Sequence, residues 1–280
     1  MKTARVLREK LTRYVSLRYA PSFRQAQPRE VIGVPTKLIP PDSVPAFVLP
    51  DVISEGEERA LLNLTEPWFS RLPYSDGHVD SLIHHFKEFY RSYNELMEGA
   101  AVDAEARGFS ECDKEAVSLA RAALKRCRGI AAEHLTNIPL DDRVHFLRMG
   151  SNGFIRAHVD ESRNSSGIIA GLCLGSARVM ALTHPKHPGE RVELLLAPRA
   201  IYIMIGAARY EWEHSTDWLE DDKEHIERIR GNVLLEGAPL AFDGRETHYK
   251  RGERTAIIFR GVSPMELLLS KMKGKQTSQT

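Results

Sequence analysis

Two histidines and one aspartate are the residues of this sequence best suited to hold a metal ion. His158 and Asp160 flank a single valine, and His214 lies 54 positions beyond the aspartate. Two imidazoles and one carboxylate on one face of a metal leave coordination positions open for a co-substrate and O₂, as in non-haem Fe(II) sites. On a β-strand, His158 and Asp160 would share a face. The three residues therefore predict an oxidation rather than a hydrolysis.

The sequence contains a second histidine and aspartate at the same spacing, His78 and Asp80. Short motifs of this kind also arise by chance. The second pair precedes residues 82–86, whose pattern we interpret as helical, whereas His158 lies in an alternating strand pattern. We therefore predict that His78 and Asp80 are structural.

Four further histidines compete with His214 for the role of third ligand: His184, His187, His225 and His248. The first two lie in a proline-containing turn, and the other two lie in a polar segment. His214 alone closely follows a strongly apolar strand, residues 200–206, with Tyr210 and Trp212 between them. This position favours His214 as the ligand over the alternative of a hydrogen-bonded core histidine.

Arg254 and Arg260 lie six positions apart in an apolar segment and would point to the same side of one strand. An arginine buried there needs an anionic partner, because an unpaired buried charge is costly. A carboxylate bound by two guanidinium nitrogens meets that need. Six strand residues span about 20 Å, so we expect one arginine to bind the distal carboxylate of a diacid. The other would lie near the metal or pair with its aspartate; the alternative is that both are exposed at strand ends.

From about residue 144 the apolar pattern has the two-residue period of β-strands. Seven or eight short strands separated by turn residues favour a β-sandwich or jelly roll over a parallel α/β sheet. The acidic segment that begins at Asp217 interrupts the series, and we predict that residues 215–249 form a surface insertion. The predicted strands are residues 144–149, 153–159, 167–175, 177–183, 191–196, 200–206 and 254–260.

The preceding part of the chain has helical patterns. Ser54 and Glu57 have the spacing of a capping box, which predicts that a helix begins there. A second helix is predicted between about residues 113 and 135, where an apolar stripe includes Leu119 and Leu124. We expect the Leu and Ala residues of this stripe to pack in the core.

Residues 1–29 contain eight Lys or Arg and one acid, Glu9, so the overall charge of +1 leaves the rest of the chain net acidic. An arginine-rich, acid-poor segment with apolar residues on one helical side is typical of a mitochondrial transit peptide. The alternative is a disordered basic arm or one that contacts nucleic acid. Prolines between residues 28 and 45 predict an extended linker.

The remaining composition limits the class of protein. No segment approaches the roughly 20 apolar residues that span a bilayer, so membrane insertion is not expected. The three cysteines form no C-x-x-C pair, which suits a reducing compartment. We expect buried thiols rather than a zinc site.

The ligand and arginine residues resemble the pattern of the AlkB-like Fe(II)/2-oxoglutarate dioxygenases, which is H-x-D, a distal His and R-x5-R on a double-stranded β-helix. The resemblance extends to a mitochondrial branch of that family and covers about residues 48–262. It implies an α+β fold with a double-stranded β-helix (jelly-roll) core from about residue 144 and an N-terminal helical layer. The implied organisation is a transit peptide (1–30), a linker (31–47), the dioxygenase domain (48–262) and a polar tail (263–280).

The same resemblance implies a role for each site residue. His158, Asp160 and His214 would bind Fe(II), Arg254 and Tyr202 would hold the co-substrate 2-oxoglutarate, and Arg260 would complete the pocket. The implied activity uses O₂ to hydroxylate or demethylate a protein or mitochondrial RNA in the mitochondrial matrix, with links to alkylation-induced necrosis and fatty-acid metabolism. The competing hypothesis is a non-catalytic jelly-roll binding protein.

Duplex DNA is disfavoured as the substrate. Base-repairing members of the family carry an N-x-Y pair where this chain has Leu147 and Met149. They also clamp a flipped base with β-hairpins, whereas we predict that residues 89–140 are helical. A net acidic body offers little affinity for phosphates through counterion release.

Overall fold

The computed structural model describes residues 30–31, 34–35, 37–38, 46–76, 82–98, 111–135, 137–216 and 252–269. Its helices are α1 (Glu55–Phe69), α2 (Glu111–Glu133) and α3 (Gly206–Tyr210), with short helical segments at 93–98 and 264–269. Its strands are β1 (Glu30–Val31), β2 (Val34–Pro35), β3 (Lys37–Leu38), β4 (Ala46–Leu49), β5 (Ser75–Asp76), β6 (Ile83–Ser92), β7 (Arg143–His158), β8 (Ser166–Gly175), β9 (Arg178–His184), β10 (His187–Leu196), β11 (Ile201–Ile205), β12 (Glu213–Thr216) and β13 (Arg254–Gly261). The predicted leader, the His78 and Asp80 pair and residues 217–249 of the predicted insertion lie outside the described residues.

Strands β3 to β13 form one sheet that is divided into two layers by the long strand β7. The N-terminal half of β7 pairs with β13, and this first layer continues through β8 and β11 to β4. The C-terminal end of β7 pairs with β12, and this second layer continues through β9 and β10 to β3. Two layers that share a strand, are antiparallel apart from the edge strand β3 and enclose one core form a jelly roll. The predicted double-stranded β-helix core is thus confirmed.

Two apolar clusters show which side of the first layer faces the interior of the jelly roll. One cluster joins the layer to α1 and α2 and contains Ile257 and Phe259 of β13. The other lies between the two layers and contains Ala256 and Ile258 of the same strand. Because side chains alternate along a strand, Arg254 and Arg260 lie on the interior side with Ala256 and Ile258. The predicted helical layer consists of α1 and α2, which cover the outer side of the first strand layer.

The first helix begins as the sequence predicts. The amide of Glu57 donates to Ser54 Oγ at 3.2 Å, and the amide of Ser54 donates to Glu57 Oε2 at 2.8 Å. These reciprocal bonds form a capping box, which satisfies two donors that a helix N-terminus leaves unpaired. The capping prediction is therefore confirmed.

The second helix, α2, agrees with its prediction apart from one position of the apolar stripe. Ala120, Ala123 and Leu124 are fully buried, but Leu119 is 40% exposed. The prediction that Leu119 packs in the core was therefore wrong. The buried face of α2 follows residues three and four apart from Ala120, and Leu119 lies at the edge of that face.

The helical predictions for residues 82–86 and 89–140 were wrong at residues 83–86 and 89–92, which belong to strand β6. Strand β6 pairs with β7 from Ile83, opposite Ile155, to Ser92, opposite Arg143. The local pattern did not show this strand, because its stability comes from pairing with a distant segment rather than from local propensity. The helix predicted after His78 and Asp80 was one reason to interpret that pair as structural, and this reason no longer holds. The helix predicted from residue 89 was likewise part of the argument against a β-hairpin lid.

The segment before the first layer contributes short strands to the fold. Strands β1 and β2 pair with each other, and β3 adds a parallel edge to β10 at Lys37 and Leu38. Strand β4 closes the far edge of the first layer against β11. In the described part of the chain, no helix combines the length and the apolar character that a membrane span requires.

Candidate metal centre and acid-binding pocket

The three predicted ligands meet at one end of the jelly roll. His158 is the last residue of β7, and His214 lies directly opposite it on β12. Asp160 lies two residues beyond the end of β7, so it is not on the strand as the sequence analysis assumed. The chain turns immediately after β7, and this turn brings the carboxylate to the histidines. Donor atoms of the three side chains lie within 4.8 Å of one another, and all three side chains are half-buried.

The distances between these donor atoms suit one metal ion. The Nε2 atom of His158 lies 3.1 Å from Asp160 Oδ1, and that of His214 lies 3.6 Å from the same oxygen. Imidazole nitrogens and carboxylate oxygens lie about 2.0 to 2.2 Å from a bound zinc ion, so two such atoms at right angles on a similar ion are about 3 Å apart. The observed spacing is therefore close to that of adjacent ligands.

The protonation states of the two histidines also favour the binding of a metal cation between them and Asp160. His158 Nδ1 donates to the carbonyl of Arg156 at 2.8 Å, so in a neutral ring the lone pair of Nε2 points at the carboxylate of Asp160. Two electron-rich atoms 3.1 Å apart need a proton or a metal ion between them. Burial lowers the pKa of His214 to about 4 despite the opposing effect of Asp160, so this ring is neutral at pH 7 and can act as a ligand.

Arg260 binds the second carboxylate oxygen of the candidate aspartate ligand. Its Nη2 donates to Asp160 Oδ2 at 3.2 Å, which leaves Oδ1 for the two histidines. Burial raises the pKa of Asp160, but the neighbouring His158 ring and the positive charge of Arg260 outweigh it and hold the pKa far below its usual range. The carboxylate is therefore ionised, as a metal ligand must be.

A second arginine that the sequence analysis did not select holds the turn after the aspartate. Arg209 in α3 is 1% exposed, and its Nη1 donates to the main-chain carbonyl of Asp160 at 2.7 Å. Its Nη2 donates to the carbonyl and hydroxyl oxygens of Ser165 at 3.2 and 2.9 Å. Arg209 thus fixes both ends of the turn. An arginine in an otherwise apolar helix just before His214 was the available sequence signal.

The guanidinium of Arg254 lies in the interior of the jelly roll and has no anionic partner among the described residues. The residue is 2% exposed, and its Nη2 contacts the sulfur of Cys173 at 3.5 Å. Its Nε is buried and finds no hydrogen-bond acceptor in the described part of the chain. Among the residues that the structure describes, no carboxylate contacts this guanidinium. A buried, incompletely bonded guanidinium is suited to binding a carboxylate of a ligand.

Tyr202 lies beside this arginine on the interior side of β11. It pairs across the sheet with Gly171 of β8, and a Cβ added to that glycine would lie 2.5 Å from the Tyr202 hydroxyl and 2.2 Å from its ring. Glycine is therefore needed for the phenol to occupy this position. Burial raises the pKa of Tyr202 to about 12 against the opposing charge of Arg254. The hydroxyl stays protonated and can donate to an acid bound at Arg254.

The fold and this site together define a jelly-roll protein with two histidines and one carboxylate that could hold a metal ion, and with a separate buried arginine, Arg254. No protein-family model matches the chain. The chain is 36% identical over 169 residues to the bovine protein named alpha-ketoglutarate-dependent dioxygenase alkB homolog 7, mitochondrial. It is 34% identical over 169 residues to the mouse protein of that name. Over this stretch, the chain is therefore similar to AlkB-like proteins.

Each mammalian match covers 60% of this chain and 66% of the relative, slightly less than two thirds of the relative's length. Among solved structures, a prolyl hydroxylase of Trichoplax adhaerens in complex with a peptide fragment is similar at 12% identity and a TM-score of 0.47. That match covers 82% of this chain and 89% of the other. A likeness this distant adds nothing about activity.

Proposed function

We propose that this protein is an Fe(II)- and 2-oxoglutarate-dependent dioxygenase. It would couple the oxidative decarboxylation of 2-oxoglutarate to succinate with hydroxylation or demethylation of a second substrate. The observation that carries the proposal is the cluster of His158, Asp160 and His214, whose donor atoms lie within 4.8 Å of one another. Iron bound by these three residues would supply the activation of O₂.

Other residues would bind the co-substrate at one end of the pocket and orient the metal ligands at the other. Arg254 would bind the distal carboxylate of 2-oxoglutarate, and Tyr202 would donate its hydroxyl to the same group. Arg260 would hold Asp160 Oδ2, so that Oδ1 keeps its orientation toward the histidines. The apolar residues between the layers, which include Leu147 and Met149, would exclude water from the co-substrate.

The relatives' name supports a mitochondrial location, and we propose the matrix. We propose a protein or a mitochondrial RNA as the second substrate, and an association with alkylation-induced necrosis and fatty-acid metabolism, because the sequence resembles the mitochondrial branch of the family. Duplex DNA remains disfavoured because the chain after residue 29 is net acidic. We further propose that the dioxygenase domain comprises residues 48–262.

An anaerobic titration followed by exposure to O₂ tests the activity. We expect the purified protein to bind Fe(II) and then 2-oxoglutarate, and to form succinate when O₂ and mitochondrial extract are added. Zinc serves as the control, because it occupies similar N/O sites without redox chemistry. Mass spectrometry of the extract should detect a lost methyl group or an added oxygen atom in a protein or RNA. Binding of 2-oxoglutarate with no succinate in either extract or buffer would support the non-catalytic binding protein instead.

The leader is expected to direct import into mitochondria, because its eight cations are accompanied by one acid within residues 1–29. Fusing residues 1–35 to a fluorescent protein should produce mitochondrial fluorescence and a shortened fusion protein. A matched fusion with Arg5, Arg8 and Arg13 replaced by glutamine should remain in the cytosol. Cytosolic or nuclear fluorescence of the unaltered fusion would contradict the localisation and favour a basic arm that contacts nucleic acid.

A further inference from the structure

A series of hydrogen-bonded polar side chains in the first layer leads to the candidate metal centre. Glu88 lies on β6, His145 lies on β7, and Arg260 lies on β13. These strands are neighbours, since His145 pairs with Tyr90 on one side and with Ile258 on the other. The side chain of His145 is 6% exposed and that of Glu88 is 24% exposed. A buried polar chain of this kind needs a hydrogen-bonding role for each member.

The proton positions on His145 follow from the chemistry of its two partners. A guanidinium can only donate, so His145 Nδ1 accepts from Arg260 Nη1 at 3.1 Å. A neutral imidazole then carries its proton on Nε2, which donates to Glu88 Oε2 at 2.9 Å. Burial lowers the pKa of His145, although Glu88 opposes this effect, so burial favours the neutral ring. Both ring nitrogens are thereby satisfied in a single tautomer.

These contacts orient the arginine that binds the candidate aspartate ligand. The guanidinium of Arg260 is planar, and its two terminal nitrogens contact His145 Nδ1 and Asp160 Oδ2. A fixed imidazole therefore fixes the guanidinium plane, which in turn sets the rotation of the carboxylate. Tyr90 holds the imidazole plane itself, since its ring stacks on His145 at 4.4 Å with an interplanar angle of 11°.

We propose that Glu88 and His145 are positioning residues of the metal centre, which hold Arg260 and thereby turn Asp160 Oδ1 toward the metal. The inference rests on the proposed function, because it requires a metal ion at His158, Asp160 and His214. Groups that hydrogen-bond to metal ligands from behind commonly change metal affinity or activity by about 10- to 100-fold when they are replaced. Neither Glu88 nor His145 would touch the metal or the co-substrate.

The test is His145→Phe, which keeps an aromatic ring against Tyr90 but removes both nitrogen contacts. Co(II) is the probe, because N/O sites bind it more tightly than Fe(II) and its visible absorption reports ligand geometry. We expect Co(II) affinity to fall by about 10- to 100-fold, with an altered absorption spectrum. The matched control is His134→Phe, a half-buried histidine packed on Phe47 at 5.1 Å, which should leave both quantities unchanged.

Two further variants separate positioning from a general loss of packing. His145→Asn places an acceptor near the position of Nδ1, so it should restore part of the Co(II) affinity and spectrum. Glu88→Leu removes the acceptor of the His145 Nε2 proton. It should weaken Co(II) binding in the wild-type background and have no further effect in His145→Phe, because both substitutions break the same series of contacts. Independent, additive effects of the two substitutions would contradict the proposed series of hydrogen bonds from Glu88 through His145 to Arg260.

The outcomes distinguish this inference from the proposed function. If folded His145→Phe binds Co(II) with wild-type affinity and spectrum, the inference is overturned while the metal centre stands. If His145→Phe does not fold, wild-type Co(II) affinity and spectrum in folded Glu88→Leu overturn it. Wild-type protein that binds no Co(II) would overturn the metal centre and the inference together. Wild-type protein that binds Co(II) as expected but forms no succinate would overturn only the proposed activity.

Discussion

Replacing His158 or Asp160 with alanine is expected to abolish the iron-dependent conversion of 2-oxoglutarate to succinate. Each substitution removes one of the three donors that lie within 4.8 Å of one another. Metal activation contributes several kcal/mol to such reactions, which corresponds to a loss of about a thousand-fold or more in rate. Asp160→Ala should have the further effect of leaving Arg260 without its carboxylate partner. Succinate released in the presence of excess Fe(II) measures the effect directly.

The matched control is His78→Ala, which alters the other histidine and aspartate pair. His78 lies outside the described residues, so this control tests the choice that the sequence analysis made between the two pairs. We expect wild-type succinate formation from His78→Ala. Equal loss in His78→Ala and His158→Ala, with intact circular dichroism spectra for both, would reverse the assignment of the ligands.

The second large effect is expected at Arg254, where leucine should weaken 2-oxoglutarate binding far more than it weakens metal binding. The substitution removes the cation of a buried charge pair and leaves the co-substrate carboxylate unpaired. Such a truncation typically costs about 2 to 5 kcal/mol, or about 30-fold to several thousand-fold in affinity. Arg254→Lys should have an intermediate effect, because lysine keeps the charge but not the planar pair of donors.

Isothermal titration with Mn(II) in place of iron separates the roles of the two arginines. Arg260 contacts Asp160 at 3.2 Å, so Arg260→Leu should impair metal binding and turnover more than affinity for 2-oxoglutarate. Unchanged 2-oxoglutarate affinity in Arg254→Leu, with a large loss in Arg260→Leu, would show that the two roles are exchanged. No loss in either variant would remove 2-oxoglutarate from the mechanism.

The parts of the fold that the sequence predicted well depend on local periodicity. The alternation of apolar residues from about residue 144 predicted the strands now seen as β8 to β11 and β13, because such alternation follows from one buried face. It divided β7 into two strands at residues 150–152, whereas the structure has one continuous strand there. The capping box at Ser54 is equally local, since both of its bonds join residues three positions apart. The alternation also predicted that Arg254 and Arg260 share a face, and the structure places both on the interior side of β13.

Local periodicity did not reveal β6, since pairing with β7 joins segments more than fifty residues apart. Two contacts of His145 were missed with this strand, because Glu88 and Tyr90 both lie on it. Asp160 likewise lies beyond the end of β7 rather than on a strand with His158, in a turn held by Arg209 from α3. No pattern within either segment contains these contacts.

By itself, the sequence determined which residue types could form a metal centre and which strand faces would be buried, because both depend on composition and short-range spacing. Only the tertiary structure decided that His214 lies opposite His158, that Arg260 rather than Arg254 contacts Asp160, and that His145 connects Arg260 to Glu88. Each of these depends on the register between strands that are distant in sequence. Register is determined by how the two layers pack around a common core, and a shift of one residue would turn every one of these side chains to the other face.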